Sequence, residues 1–217
     1  MRVFGSRNNE EKYAMAFPDP SKPIATCSAS SCDGCPVAVQ VHCHFRPRDY
    51  FHFLFISLPG FITGAAALYN YSKWALIIYL IVIIGFFGLL EIRVMCSHCP
   101  HYAEEGPTLT CWANHGSPKL WKYRPGPMST SEKFWFFFGL TGVWVFPLPF
   151  LFLSKAWLLL ALYLLTNAAF WTTLKLFLCS KCMNFACPLN GVDQAAREMF
   201  FQRNLSVAKH WRKGELD

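Results

Sequence analysis

The sequence predicts an all-α membrane protein with four transmembrane helices, arranged as two tandem hairpins with cysteine-rich cytoplasmic loops. Three observations lead to this prediction. Hydrophobic residues make up 53% of the 217-residue chain and charged residues only 15%, a low share of charge for a soluble protein. The charges leave four long gaps along the chain. A cysteine motif that follows the second gap recurs after the fourth.

The four gaps define the predicted spans. Each gap is free of Asp, Glu, Lys and Arg. The gaps lie between Asp49 and Lys73, between Lys73 and Glu91, between Lys133 and Lys155, and between Lys155 and Lys175. A helix needs about 20 mainly apolar residues to cross the hydrocarbon layer, and too little polar sequence remains to cover four such helices in a soluble protein. The predicted spans are Phe51–Tyr71, Trp74–Leu90, Phe134–Leu153 and Ala156–Leu178. The turns Asn70–Lys73 and Ser154–Lys155 are short enough to make each pair a tight hairpin, and Pro59, Pro147 and Pro149 are expected to bend or unwind their helices.

The basic residues predict the orientation. Four crossings place residues 1–50, 95–133 and 179–217 on one side, and every Lys and Arg except Lys73 and Lys155 lies there or at the adjoining helix ends. By the positive-inside rule this side is cytoplasmic. We therefore expect a multi-pass protein of the inner membrane with both termini and all cysteines in the cytoplasm. The net charge of +7 is explained by this topology, so no nucleic-acid partner is expected. The early sequence lacks the apolar core of a signal peptide.

The chain divides accordingly into four regions. These are an N-terminal cysteine-rich segment (1–50), a first hairpin with its loop (51–133), a second hairpin with its loop (134–191) and a basic tail (192–217). Apolar residues at helical spacing in 192–200 predict a short amphipathic helix against the membrane or a partner. Glu91, Arg93 and Lys175, near helix ends, are expected to be paired or to extend toward water.

The two hairpins look like copies of one unit. The matching stretches are Cys96-Ser-His-Cys-Pro-His-Tyr-Ala103 and Cys179-Ser-Lys-Cys-Met-Asn-Phe-Ala186. Each is followed by a Cys-x2-Asn motif, at Cys111 and at Cys187. A parallel repeat of this kind predicts a pseudo-twofold axis along the membrane normal, with the two Cys-x2-Cys turns side by side.

The cysteines predict metal ligation. Because the cytoplasm keeps thiols reduced, clustered cysteines there indicate metal ligands rather than disulfides. The N-terminal set, Cys27-x4-Cys32-x2-Cys35-x7-Cys43, begins with the Cys-x4-Cys-x2-Cys run of plant-type ferredoxins, and its four thiolates could close one site independently of the helices. Zinc is the alternative, because paired Cys-x2-Cys turns also suit zinc. The candidate ligands are Cys27, Cys32, Cys35, Cys43, Cys96, Cys99, Cys111, Cys179, Cys182 and Cys187.

The six repeat cysteines allow three arrangements. Each half could hold its own cluster with three thiolates, the two Cys-x2-Cys pairs could share one four-thiolate site, or the third cysteine of each half could cross to the other's cluster. We expect two or three iron–sulfur clusters in all, of the 4Fe-4S rather than the 2Fe-2S type. The second half has no histidines matching those of the first, so supporting roles are expected for His42, His44, His98, His101 and His115. With only His52 inside a predicted span, no haem is expected.

The architecture of residues 51–190 and the pairs Cys35-Pro36, Cys99-Pro100 and Cys187-Pro188 resemble the four-helix membrane ferredoxin-type proteins encoded with nitrate and nitrous-oxide reductases. That family has Cys-x3-Cys-Pro, whereas this chain has Cys-x2-Cys-Pro at Cys96 and Cys-x4-Cys-Pro at Cys182. The resemblance implies electron transfer to or from the quinone pool.

Three functions fit these features. The first is a membrane-bound electron carrier that acts between a soluble cytoplasmic partner and a quinone or another membrane subunit, as part of an oxidoreductase complex. The second is a zinc-binding membrane anchor that scaffolds a cytoplasmic complex. The third is an enzyme in which a three-thiolate cluster leaves one iron open to substrate. No nucleophile–base pair or nucleotide-binding loop points to a reaction completed by this chain alone.

The topology is directly testable. Reporters fused after Asp217 and into the turns at Lys73 and Lys155 should show the tail inside the cell and both turns outside, because the basic residues are retained in the cytoplasm. A cytoplasmic signal from either turn would contradict the four-span topology.

Overall fold

The computed structural model describes residues 20–214, and the ends of the predicted N-terminal segment and tail, residues 1–19 and 215–217, lie outside the described residues. The described part is helical and contains no β-strand. Its α-helices are α1 (Pro36–Gln40), α2 (Pro47–Tyr71), α3 (Lys73–Gly85), α4 (Glu91–Val94), α5 (Thr130–Val145), α6 (Pro147–Leu153), α7 (Trp157–Thr173), α8 (Gln194–Arg203) and α9 (Leu205–Gly214).

Four helical stretches are long and apolar enough to cross a membrane, which confirms the prediction of four candidate spans. We refer to them in chain order as the first to fourth spans. They cover Pro47–Tyr71, Lys73–His98, Thr130–Leu153 and Trp157–Lys181. Large apolar side chains such as Phe55 and Leu165 are exposed on the outside of the bundle, as lipid-facing positions require.

The second and fourth spans extend further than the charge gaps predict. The second continues from α3 through a π-helical turn at Phe86–Leu90, then through α4, and ends in a 3-10 turn at Cys96–His98. The fourth continues from α7 through a π-helical turn at Leu174–Leu178 into a 3-10 turn at Cys179–Lys181. Short π-helical turns inside helices are common at functional sites.

The first span packs against the second, third and fourth, through α3, α6 and α7, and α5 of the third span packs against the second. Small residues permit close approach between membrane helices. At Gly64, for example, a Cβ would lie 3.1 Å from side-chain atoms of both Pro147 and Tyr163. The third span is interrupted at Phe146, since α5 ends at Val145 and α6 begins at Pro147, whereas α2 and α6 continue without interruption through Pro59 and Pro149.

The chain outside the spans forms a cap at one end of the bundle. The N-terminal segment packs against α8 and α9 in an apolar cluster centred on Val41, Phe200 and Val207. The backbone N–H of His42 donates to the carbonyl of Lys181 at the end of the fourth span, at 2.8 Å. The amphipathic helix expected near residues 192–200 is therefore present as α8, and its partner is the chain's own N-terminal segment.

Candidate metal centres

All six repeat cysteines line one cavity at the capped end of the bundle. We call it the larger cavity, because the N-terminal cysteines line a smaller one. It has a volume of about 120 Å³, and apolar residues of the spans form its floor, among them Phe61 and Trp144. Its cysteines are Cys96, Cys99 and Cys111 from the first half and Cys179, Cys182 and Cys187 from the second. The thiols of both halves thus face a common space.

The two Cys-x2-Cys motifs have the same backbone conformation. In each, the first cysteine begins a 3-10 turn, and the N–H of the second donates to the carbonyl of the first, at 2.9 Å for Cys99 and 3.4 Å for Cys182. Both second cysteines are extended, with φ and ψ of −75° and 138° at Cys99 and −79° and 127° at Cys182. The sequence repeat is therefore also a structural repeat at these turns.

The Cys-x2-Asn motifs connect the third cysteine of each half to the turn of the same half. Asn114 donates from its backbone N–H to the Cys111 sulfur (3.2 Å) and from its side-chain amide to the Cys96 sulfur (3.4 Å). The side chain of Asn190 donates to the carbonyl of Cys182 at 2.6 Å. The asparagines explain why the motif recurs: each holds a loop cysteine beside a helix-end pair.

An ion-pair cluster holds the first cysteine loop against the spans. The Arg124 guanidinium donates to the carbonyl of Arg93 (2.7 Å) and to the Ser97 hydroxyl (3.0 Å), and it lies 2.6 Å from Glu132. Glu132 also completes a capping box with Ser129 at the start of the third span, which fixes the carboxylate at that helix end. These contacts fasten the loop to the end of the second span, to the Cys96–Cys99 turn and to the start of the third span. Arg93 is paired with Glu132 at 3.8 Å, as expected.

The four N-terminal cysteines line a second, smaller cavity. Cys27, Cys32, Cys35 and Cys43 surround it together with Arg203 and Asn204, and all four are partly exposed. The backbone carbonyl of Arg203 accepts a hydrogen bond from the N–H of Ser28 at 2.8 Å, and Asn204 accepts one from Thr26 at 2.8 Å. The C-terminal helices therefore build one wall of a site that the sequence predicts to be independent of the helices.

The two cavities are neighbours. Cys99 and Met183 line the larger cavity and also belong to the apolar cluster that contains Cys27, Cys35 and Cys43. The two sets of thiols are thus connected through one apolar cluster. The N-terminal segment is further held to the first loop because the N–H of Ala25 donates to the Glu104 carboxylate at 2.8 Å.

Burial keeps four of the thiols outside the spans protonated in the metal-free chain. It raises the pKa of Cys43, Cys111 and Cys182 to about 12 each, and that of Cys187 further. A buried thiolate is unfavourable unless a cation compensates its charge. Binding a soft metal centre would therefore displace these protons and offset the cost of burial.

The histidines are placed unevenly. His101 lines the larger cavity, and burial lowers its pKa to about 3, so its imidazole is neutral. His44 Nε2 lies 3.5 Å from the Cys32 sulfur. His42 pairs with Asp49 at 2.8 Å, His98 lies 3.4 Å from Glu132, and the ring of His115 stacks on Phe45. Only His101 and His44 are near thiols in these contacts, as supporting groups would be.

Within residues 20–214, no three His, Cys, Asp or Glu side chains converge closely enough to hold a single metal ion. The thiols instead stand around the walls of the two cavities. Their donor set is soft, as iron–sulfur clusters and zinc both require.

Sequence reasoning missed two parts of these sites. Arg203 and Asn204 lie far along the chain from the N-terminal cysteines, and no spacing rule connects them. Glu91 was expected to be paired or to extend toward water, but it is 8% exposed and lines the larger cavity. Its position five residues before Cys96, directly after the uncharged run 74–90, is the signal that could have identified it.

No protein-family model, curated protein or solved structure matches this chain.

The role of Arg124 can be tested by substitution. Arg124→Ala should loosen residues 99–128, because it removes hydrogen bonds of a charged group, each typically worth ~1.5 kcal/mol or more. Hydrogen–deuterium exchange measured by mass spectrometry should be about tenfold faster or more in that loop. Lys122→Ala removes the same charge from an exposed neighbour and should leave exchange unchanged. Equal exchange in the two variants would show that the ion-pair cluster does not hold the loop.

Proposed function

We propose that this protein is a membrane-bound iron–sulfur protein that transfers electrons between a cytoplasmic partner and the quinone pool or another membrane subunit. The observation that carries the proposal is the distribution of the ten cysteines around two adjacent cavities at one end of four candidate spans. Two adjacent centres, one partly exposed and one against the spans, would let electrons pass between a soluble partner and the membrane.

In the larger cavity, six thiols around a volume of about 120 Å³ favour a cluster over single zinc ions. In structural zinc sites four ligands converge on one ion, whereas a cluster of several iron and sulfide ions occupies a cavity with cysteines around it. Cys27, Cys32, Cys35 and Cys43 would hold the N-terminal cluster. The six cysteines of the larger cavity would hold one or two more, in an arrangement that uses Cys111 and Cys187 because both line the same space as the paired motifs. When bound, such clusters supply one-electron transfer.

The protein's own residues contribute burial and positioning. Apolar residues of the spans form the floor of the larger cavity, which excludes water and so affects the potential of a bound centre. Asn114 donates to two cysteine sulfurs, and hydrogen bonds to sulfur raise the potential of a cluster by stabilising its reduced, more negative state.

The two cavities suggest a path for electrons across the cap. The N-terminal cysteines are partly exposed and would exchange electrons with the soluble partner. The larger cavity adjoins the spans and would exchange electrons with a carrier in the membrane. The excess of basic residues on the capped side supports a position for both cavities at the cytoplasmic face of the inner membrane.

Metal identity and redox activity test this proposal together. The full chain, purified anaerobically, should be brown, contain iron and acid-labile sulfide in similar amounts, and be bleached by dithionite as the clusters gain electrons. Cys32→Ser/Cys35→Ser should lose only the N-terminal share of the iron and keep a bleachable spectrum. Ser31→Ala, an exposed neighbour, should keep all the iron. A colourless protein with stoichiometric zinc, unchanged by dithionite, would refute electron transfer and support the scaffold.

A further inference from the structure

A groove on the outside of the bundle leads from the lipid-facing surface to the larger cavity. It has a volume of about 460 Å³ and lies between the first and second spans, within the range of small-molecule sites. Along the first span it extends from Phe53 to Ala65, which at 1.5 Å per residue is roughly 18 Å. Leu58, Ile62 and Leu80, which line it, are between 45% and 62% exposed. The groove is therefore open to the region that lipid occupies.

The groove and the larger cavity have a common wall. Phe53, Ser57, Phe61, Phe87, Glu91, Ala113 and Asn114 line both. Through Asn114 the groove is one hydrogen bond from a thiol, since the Asn114 amide donates to the Cys96 sulfur at 3.4 Å. A molecule in the groove would lie next to the cysteines.

The polarity of the groove is graded along its length. Glu91, Asn114 and Ser57 lie toward the larger cavity, which they also line. Farther along the groove the first span contributes only apolar side chains, from Leu58 to Ala65, and the second span contributes one polar residue, Tyr79. Glu91 is only 8% exposed, and its Oε2 atom has no hydrogen-bond partner within residues 20–214. The Glu91 carboxyl also has a side-chain hydrogen bond with Asn114. An ionisable side chain buried inside a span with one oxygen unpaired carries a cost that is usually retained for function.

We infer that this groove binds a lipid-soluble quinone, with the polar ring at Glu91 and Asn114 and the isoprenoid tail along Leu58, Ile62 and Ala65. The ligand chemistry follows from the grading: a small ring with two oxygens needs hydrogen-bonding groups at one end, and an apolar tail needs a lipid-exposed channel at the other. A Glu91 carboxyl can donate to a quinone carbonyl, and its carboxylate can accept from a quinol hydroxyl. The choice of quinone rests on the proposed electron-transfer function.

A binding measurement tests the site without relying on turnover. The full chain in lipid nanodiscs would be labelled with a photoreactive azidoquinone in competition with decylubiquinone, and labelled peptides identified by mass spectrometry. Labelling should be saturable, confined to residues 53–65 and 79–91, and suppressed by decylubiquinone. Ala65→Phe should abolish it, because the added ring fills the groove. Ala169→Phe makes the same change at an exposed position of the fourth span and should leave it unchanged.

The polar end is tested by Glu91→Leu, which should weaken decylubiquinone binding by about tenfold, because it removes the hydrogen-bond donor and leaves the quinone carbonyl unpaired. The inference would be overturned if Ala65→Phe left the labelling unaffected or if the labelling spread over all four spans. It would also be overturned if a plain alkane of the same length suppressed the labelling equally, which would indicate that the groove holds a lipid acyl chain. An iron-containing, dithionite-responsive protein that fails to bind quinone would refute this site alone. A zinc protein that binds quinone as described would refute the electron-transfer function and retain the site.

Discussion

The larger cavity depends on how the second and fourth spans end, because each span ends in the turn that carries a Cys-x2-Cys pair. A helix inside lipid satisfies its backbone internally, but at its end the last carbonyls need partners. In both spans a 3-10 turn supplies these bonds and presents two cysteines, with Asn114 or Asn190 fastening a third beside them. Because the two ends lie together, as the hydrogen bond from Asn184 to the carbonyl of Met95 (3.4 Å) shows, six thiols face one space.

The cap and the spans divide the functional tasks. The cap places the four N-terminal cysteines near water and encloses them with the C-terminal helices. The spans provide an apolar floor beneath the repeat cysteines and, between the first and second, a groove open to lipid. Glu91 belongs to both the cavity and the groove, so a single buried carboxyl lies where a membrane carrier and a cysteine-bound centre would meet.

The sequence predicts the spans and the structural repeat of the Cys-x2-Cys turns well, because both are local signals: a charge-free apolar run sets each helix, and identical motifs adopt identical turns. It predicts span ends less well, since the second span continues past the charges of Glu91 and Arg93 to His98, and Arg93 lies 3.8 Å from Glu132. The contribution of Arg203 and Asn204 to the N-terminal cavity and the burial of Glu91 depend on long-range packing, which spacing cannot encode.

The shared cavity predicts that the six repeat cysteines act as one set. Iron content per chain in Cys111→Ser and Cys187→Ser, compared with the unmodified protein, measures this most directly. A serine hydroxyl stays protonated near neutral pH and is a far poorer iron ligand than a thiolate, so both variants should lose iron to a similar extent while keeping the N-terminal share. Full iron content in both variants would contradict the claim and leave a single four-thiolate site formed by Cys96, Cys99, Cys179 and Cys182.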